Sequence, residues 1–309
     1  MLNGVRLFRH SAGKITVVLI TLSVVYGAII FPRVPDVLNP PVPDSMDLQD
    51  QIELLEDTEQ DPEVTPGLFQ GDMAIDNSMY KYWRVGLNWE VFPERRWPNG
   101  TIPYAISPLY DIDDRVTILQ AIRTLNFMTC VKFVPWNGKD KDFLLIWPIK
   151  YPKGCWSYVG KVGGTQILSL QPPDHQSINC LGHEGRAIHE LMHAMGIFHE
   201  QSRADRDRFV KIVWENIIPS FKSNFEKQSL KNTTYNYEYD YNSIMHYGRD
   251  YFSVAKGKPT IETKMPGVKI GQRRSVSVTD CLKANDLYGC LDTSRGTRKY
   301  YSLCKTLGG

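Results

Sequence analysis

His189-Glu190-Leu191-Met192-His193-Ala194-Met195-Gly196-Ile197-Phe198-His199-Glu200 decides how the rest of the chain is read. His189 and His193 stand at i and i+4, so a helix sets both imidazoles on one face. Glu190 lies one step round from His189, off the ligand face but close enough to hold a metal-bound water. Gly196 takes positive φ without strain, which lets the helix stop and the chain turn back. That turn returns His199 to the same point as a third nitrogen donor. Three protein ligands leave a fourth position open, the arrangement of a catalytic rather than a structural zinc. The short HExxH string recurs by chance; the long form, with Gly and a third His at fixed offsets, is far more specific.

Downstream stands Ser243-Ile244-Met245-His246-Tyr247. In isolation Met245 and Tyr247 would be ordinary core residues. With the upstream motif, the chain resembles the metzincin metalloproteases, and Glu200 after the third His points to the astacin family within them. The resemblance covers about residues 69 to 290. It implies an α+β, two-lobed, zincin-like protease domain. The upper lobe would hold a twisted, mainly parallel sheet with an antiparallel edge strand and two long helices. The lower lobe would be mostly irregular with a C-terminal helix. One Zn2+ per subunit would be held by His189, His193 and His199. Glu190 would act as general base on the zinc water. Tyr247 would share in stabilising the oxyanion, and Met245 would form a soft apolar floor to the imidazoles. The edge strand at Trp156, Ser157 and Tyr158 would pair with protein or peptide substrates through main-chain hydrogen bonds; strand packing alone explains Trp156 and Tyr158 equally well.

Charge is unevenly spread. The net +2 of 309 residues conceals a leader with no Lys or Arg and twelve Asp or Glu between Val34 and Tyr80. Residues 85–309 hold 30 Lys and Arg against 22 Asp and Glu. An acidic segment before a basic domain fits a pro-segment lying on its enzyme. Nucleic-acid binding finds no support, since no zinc finger, RNA-binding signature or basic helix is present. Arg6, Arg9 and Lys14 precede the apolar run Ile15 to Phe31, which reads as a secretory signal, slightly short for a membrane span, with a signal anchor as the alternative. Secretion is therefore expected, with no stable membrane association once the signal is removed. Pro32 to Pro66 reads as an extended leader, with a short helix at Asp47 to Glu56.

Phe69-Gln70-Gly71-Asp72-Met73 resembles the pro-segment motif of astacins. The resemblance makes Asp72 a zinc ligand in the zymogen, displacing the catalytic water, with Phe69 anchored in an apolar pocket. An activating protease would cut near Arg84, with Arg95-Arg96 a second candidate. The new amino terminus would then reach Glu200, a buried carboxylate in need of a partner. The expected organisation is a signal peptide over 1–28, an activation pro-segment over 29–84, a catalytic domain over 85–292 and a tail over 293–309. No EGF-like or CUB module is expected after Cys304.

Thr101 to Ile106 reads as the first strand. Asp113 and Asp114 open a helix with Val116, Leu119, Ile122 and Leu125 on one face. Val131 to Val134, Phe143 to Trp147, Cys155 to Val159 and Thr165 to Leu170 read as strands, and Thr279 to Tyr288 as a late helix. Six cysteines in an exported chain imply disulfides. The family resemblance pairs Cys130 with Cys290 and Cys155 with Cys180, leaving Cys281 and Cys304 for each other. Asn99 and Asn232 are glycosylation acceptors. The resemblance also implies a preference for acidic residues just after the scissile bond, with Lys264 as the candidate contact. The alternative reading is a catalytically silent, zinc-stabilised extracellular binding protein.

Overall fold

The computed structural model describes residues 61–75, 93–173, 179–228 and 237–307. The apolar run Ile15 to Phe31, the helix expected at Asp47 to Glu56, Arg84 and Asn232 lie outside these residues. In chain order come β1 (Met73–Ala74), β2 (Thr101–Ile106), α1 (Ile112–Met128), β3 (Lys132–Pro135), β4 (Phe143–Trp147), β5 (Trp156–Tyr158), β6 (Thr165–Ser169), α2 (Glu184–Met195), β7 (Val210–Ile212), β8 (Ile261–Thr263) and α3 (Val278–Leu287). A tail helix follows in three joined pieces, Ser294–Gly296, the π-helical Thr297–Tyr301 and Ser302–Leu307.

The sheet has the order β1-β5-β6-β4-β2-β3. β2, β3, β4 and β6 run parallel, and β5 runs antiparallel to β6. β4 buries Phe143 through Ile146 without alternation, as a strand covered on both faces does. α1 begins at Asp111, whose side chain caps the Asp114 N–H at 2.8 Å. α1 and α2 pack on each other, and Trp97 ties the front corner to α2 through an Nε1–H bond to the Ala194 carbonyl at 2.9 Å.

Within residues 85–292 β5 is the antiparallel edge, as expected, and β1 from the preceding segment pairs with it in parallel, Met73 opposite Ser157 and Ala74 opposite Tyr158. On α1, Ile122 and Leu125 face the core with Ile118, Ala121 and Met128, but Val116 and Leu119 are exposed. Steps of three residues lag a helical turn by about 60°, so a row chosen on threes walks off the buried seam.

Below the α2 helix the chain is irregular, as expected. Short 3-10 turns at Trp214–Asn216 and Pro219–Phe225 and the antiparallel pair β7–β8 surround an aromatic cluster. Phe221, Phe225, Tyr239, Tyr247, Tyr251 and Phe252 form it. α3 starts in a capping box made by Ser277 and Asp280. Asp280 also accepts the Ser243 hydroxyl at 2.6 Å and the Ile244 N–H at 2.7 Å, fixing the turn before Met245. Disulfides join Cys130 to Cys290, Cys155 to Cys180 and Cys281 to Cys304. No helix among the described residues is long and apolar enough to cross a membrane.

Candidate active site

α2 ends where Gly196 turns left-handed at φ 106°, its N–H closing on the His193 and Met192 carbonyls. The three imidazoles are each oriented through Nδ1. His189 meets the Ile244 carbonyl at 2.8 Å, His193 the Ile197 carbonyl at 2.7 Å and His199 the Gln70 side-chain oxygen at 2.9 Å. These oxygens only accept, so each Nδ1 carries the proton and each Nε2 presents a lone pair. The His193 and His199 Nε2 atoms stand 3.2 Å apart. Asp72 Oδ2 is 3.1 Å from His189 Nε2 and 3.0 Å from His199 Nε2.

That donor set fits a metal ion. The four residues bring ligand atoms within 4.8 Å of one another, all buried. Tetrahedral bonds of about 2.0–2.2 Å put ligand atoms about 3.3–3.5 Å apart, close to the spacings seen. Facing lone pairs and a carboxylate in a dry interior call for a cation. Burial pushes the His199 pKa down to about 3, and burial followed by the Arg273 charge lowers that of His189, so both rings favour the neutral form a ligand needs.

Glu190 is fully buried beside this point, and neither carboxylate oxygen has a hydrogen-bond partner among the described residues. Burial, then the negative charges of Asp72 and Glu63, push its carboxyl well above the usual range. Both anions belong to the leader. Tyr247, with its ring centre 4.8 Å from that of His199, donates its hydroxyl to the Gln70 carbonyl at 2.6 Å. Met245 is buried and its carbonyl accepts the Glu200 N–H at 3.0 Å. Trp156 and Ser157 are buried, and the Ser157 N–H donates to the Asp72 carbonyl at 2.9 Å. Phe69 packs with Met73, Val159 and Phe198. Gly71 has φ 82°, and a Cβ there would meet the Glu63 carbonyl at 2.6 Å and the Phe252 ring at 2.7 Å.

Glu200 is held by the Lys283 ammonium at 2.5 Å, Arg203 at 3.1 Å and the Asp240 N–H at 2.9 Å. Lys264 donates to the Asp207 carbonyl, because its own N–H, bonded to the Phe209 carbonyl, holds it beside the β7 end of the lower lobe.

The cations near the metal point are Arg186 and Arg273, which sequence reading missed. They enclose Glu63 of the leader, which is fully buried. Glu63 receives Arg186 Nη1 at 2.9 Å, Arg273 Nε at 2.7 Å and the Tyr251 hydroxyl at 3.1 Å. Arg186 also holds Asp61 with both terminal nitrogens, at 2.7 and 2.9 Å, the paired geometry that favours Arg. The available signal was Arg186 itself, three residues before His189 and so one turn up the ligand helix.

A helix and its left-handed turn presenting three imidazoles, below a mainly parallel sheet, define a metzincin-type metal domain. The family model described as Astacin (Peptidase family M12A) matches residues 90–289. The chain belongs to that family. The metal of the site is zinc. Zinc metalloproteinase nas-13 of Caenorhabditis elegans is 43% identical over 196 residues, covering 63% of this chain and 41% of its own length. High choriolytic enzyme 2 of Oryzias latipes is 40% identical over 228 residues, covering 72% of this chain and 76% of its own. The solved structure of High choriolytic enzyme 1, a hatching enzyme zinc-protease from the same fish, aligns with a TM-score of 0.56 at 41% identity. That alignment covers 63% of this chain and 92% of that one. Against three nematode relatives the chain spans about two fifths of their length, 41%, 39% and 42%.

Proposed function

We propose that the chain is a secreted zinc endopeptidase made as a zymogen. Its signal would occupy 1–28, its pro-segment 29–84, its catalytic domain 85–292 and its tail 293–309. The observation that carries this reading is the convergence of three imidazoles, an unpartnered Glu190 and a leader carboxylate on one buried point. Three disulfides support the export route. An activating protease removes the leader, and protein or peptide substrates take its place.

His189, His193 and His199 would hold zinc, whose chemistry there would be to acidify a water and polarise the scissile carbonyl. Glu190 takes the proton from the attacking water and passes it to the leaving amine. Tyr247, released from the Gln70 carbonyl, donates its hydroxyl to the developing oxyanion. β5, released from β1, pairs with the substrate main chain. Replacing Glu190 by Ala should lower turnover of the activated protein by at least about 100-fold, as loss of a general base does, with zinc still bound. Near-parental turnover would remove Glu190 from the base role. Zinc binding without any cleavage by the activated parent would instead support the silent binding protein.

The acidic preference moves from Lys264 to the pocket of Arg186, Arg273 and Tyr251. Departure of Glu63 frees two guanidiniums and a hydroxyl for a substrate carboxylate. Profiling of cleavage sites in a peptide library should show Asp or Glu enriched just after the scissile bond, and Arg186→Ala should weaken that enrichment. A flat profile would exclude the pocket from specificity.

A further inference from the structure

The last helix carries charge that the metal site does not use. Residues 294–307 contain Arg295, Arg298, Lys299 and Lys305 and no Asp or Glu. Residues 85–309 have a net charge of +8, so these four cations supply half of the excess. All four are exposed, and no carboxylate lies within ion-pair distance of them among the described residues. The Lys299 ammonium sits 4.7 Å over the Tyr300 ring and donates to its hydroxyl at 3.4 Å, and that of Lys305 sits 5.5 Å over Tyr301.

The segment does little for the core. Between 294 and 307 only Cys304 is buried, and its bond to Cys281 pins the helix to α3. The helix lies beyond the residues 90–289 that the family match covers, so family membership does not account for it. An exposed, covalently tethered helix with cations and no anions keeps its self-repulsion unless an anion meets it.

We propose that Arg295, Arg298, Lys299 and Lys305 form a docking site for a linear sulfated polysaccharide. The cations span ten helical steps from Arg295 to Lys305, about 15 Å of helix, which suits a repeating polyanion better than one small anion. Arg295 and Lys299 stand one turn apart with Arg298 between them, a short basic cluster of the kind that binds such chains. The guanidinium forks match tetrahedral oxyanions. A helix lying in a lipid surface needs a continuous apolar face, whereas the large exposed apolar residues here are Tyr301 and Leu307 alone. Three disulfides indicate an oxidising compartment, where sulfated polysaccharide is a more accessible polyanion than nucleic acid.

The test is retention of the full chain on immobilised heparin under a salt gradient. It is run on the parent, the quadruple variant R295Q/R298Q/K299Q/K305Q, and a control losing four cations elsewhere, K139Q/K141Q/K256Q/K258Q. The parent and the control should be retained above physiological salt and the quadruple variant released below it. The slope of log affinity against log salt should fall by about 3 in the quadruple variant. Equal losses in both variants would reduce the effect to net charge and overturn the site. So would retention that appears only after leader cleavage, which would assign the helix to the acidic leader. Binding of the parent to phosphatidylserine vesicles but not heparin, lost in the quadruple variant, would replace the polysaccharide with a membrane.

Discussion

Asp72 and Glu63 stand nine residues apart in the leader and are both fully buried, yet their countercharges come from different sources. Asp72 faces three imidazoles that turn their Nε2 atoms toward it, so its partner is whatever metal they hold. Glu63 faces two guanidiniums that belong permanently to the chain. Burial alone would raise the Glu63 pKa, but Arg273, then His189 and Arg186, outweigh it and hold the carboxyl well below the usual range. One anchor depends on loading and the other does not. A leader fixed in both ways should stay on the domain when either is lost.

The largest effect should come from breaking both. Asp72→Ala in the uncut chain should leak activity toward small peptides before any cleavage near Arg84, because the metal point regains a position for water. Adding Glu63→Ala should raise that leak further, since β1 and the Gln70 contact to Tyr247 then lose their second tether. Steady-state assays on a short fluorogenic peptide measure both. Full activity from Asp72→Ala alone would make the arginine anchor dispensable, and an uncut single variant as silent as the parent, with zinc still bound by a protein group, would remove Asp72 from the latch.

Glu63→Ala alone comes next. It leaves Arg273 buried without its carboxylate, and breaking such a pair costs about 3–5 kcal/mol. Hydrogen exchange over residues 61–65 should accelerate accordingly, while residues 69–75 stay protected and the chain stays silent. Tyr251→Phe should have the smallest effect. It removes one 3.1 Å hydrogen bond to Glu63, worth about 1 kcal/mol, and should be visible in the same exchange experiment. A loss over 69–75 as large as over 61–65 would show the two anchors to be one unit.

The Asp72 anchor was legible only through the resemblance of Phe69 to Met73 to a family motif, and the Glu63 anchor not at all. Short-range spacing sets three ligands at 189, 193 and 199 through helix geometry and one glycine turn. Glu63, Arg186 and Arg273 meet across separations of 123 and 210 residues, and no periodicity joins them. The same division runs through the fold. β2 and β4 have the expected bounds because continuous apolar and β-branched runs mark them. β7 and β8, of three residues each, are too short to show a period. Val116 and Leu119 misled because their spacing of three approximates a helical turn without matching it. Asp280 falls inside the helix expected from Thr279, but its capping role and its grip on Ser243 and Ile244 come from folding.

The bond from Cys130 to Cys290 spans 160 residues, and in the chain-entropy account closing such a loop is worth about 5 kcal/mol. It also makes a ring that contains every histidine ligand. On the proposed reading the chain would be exposed to cuts by its own kind. One nick inside this ring leaves two ends still tied, so the nicked molecule runs as a single band until it is reduced, and neither half can diffuse away with part of the site.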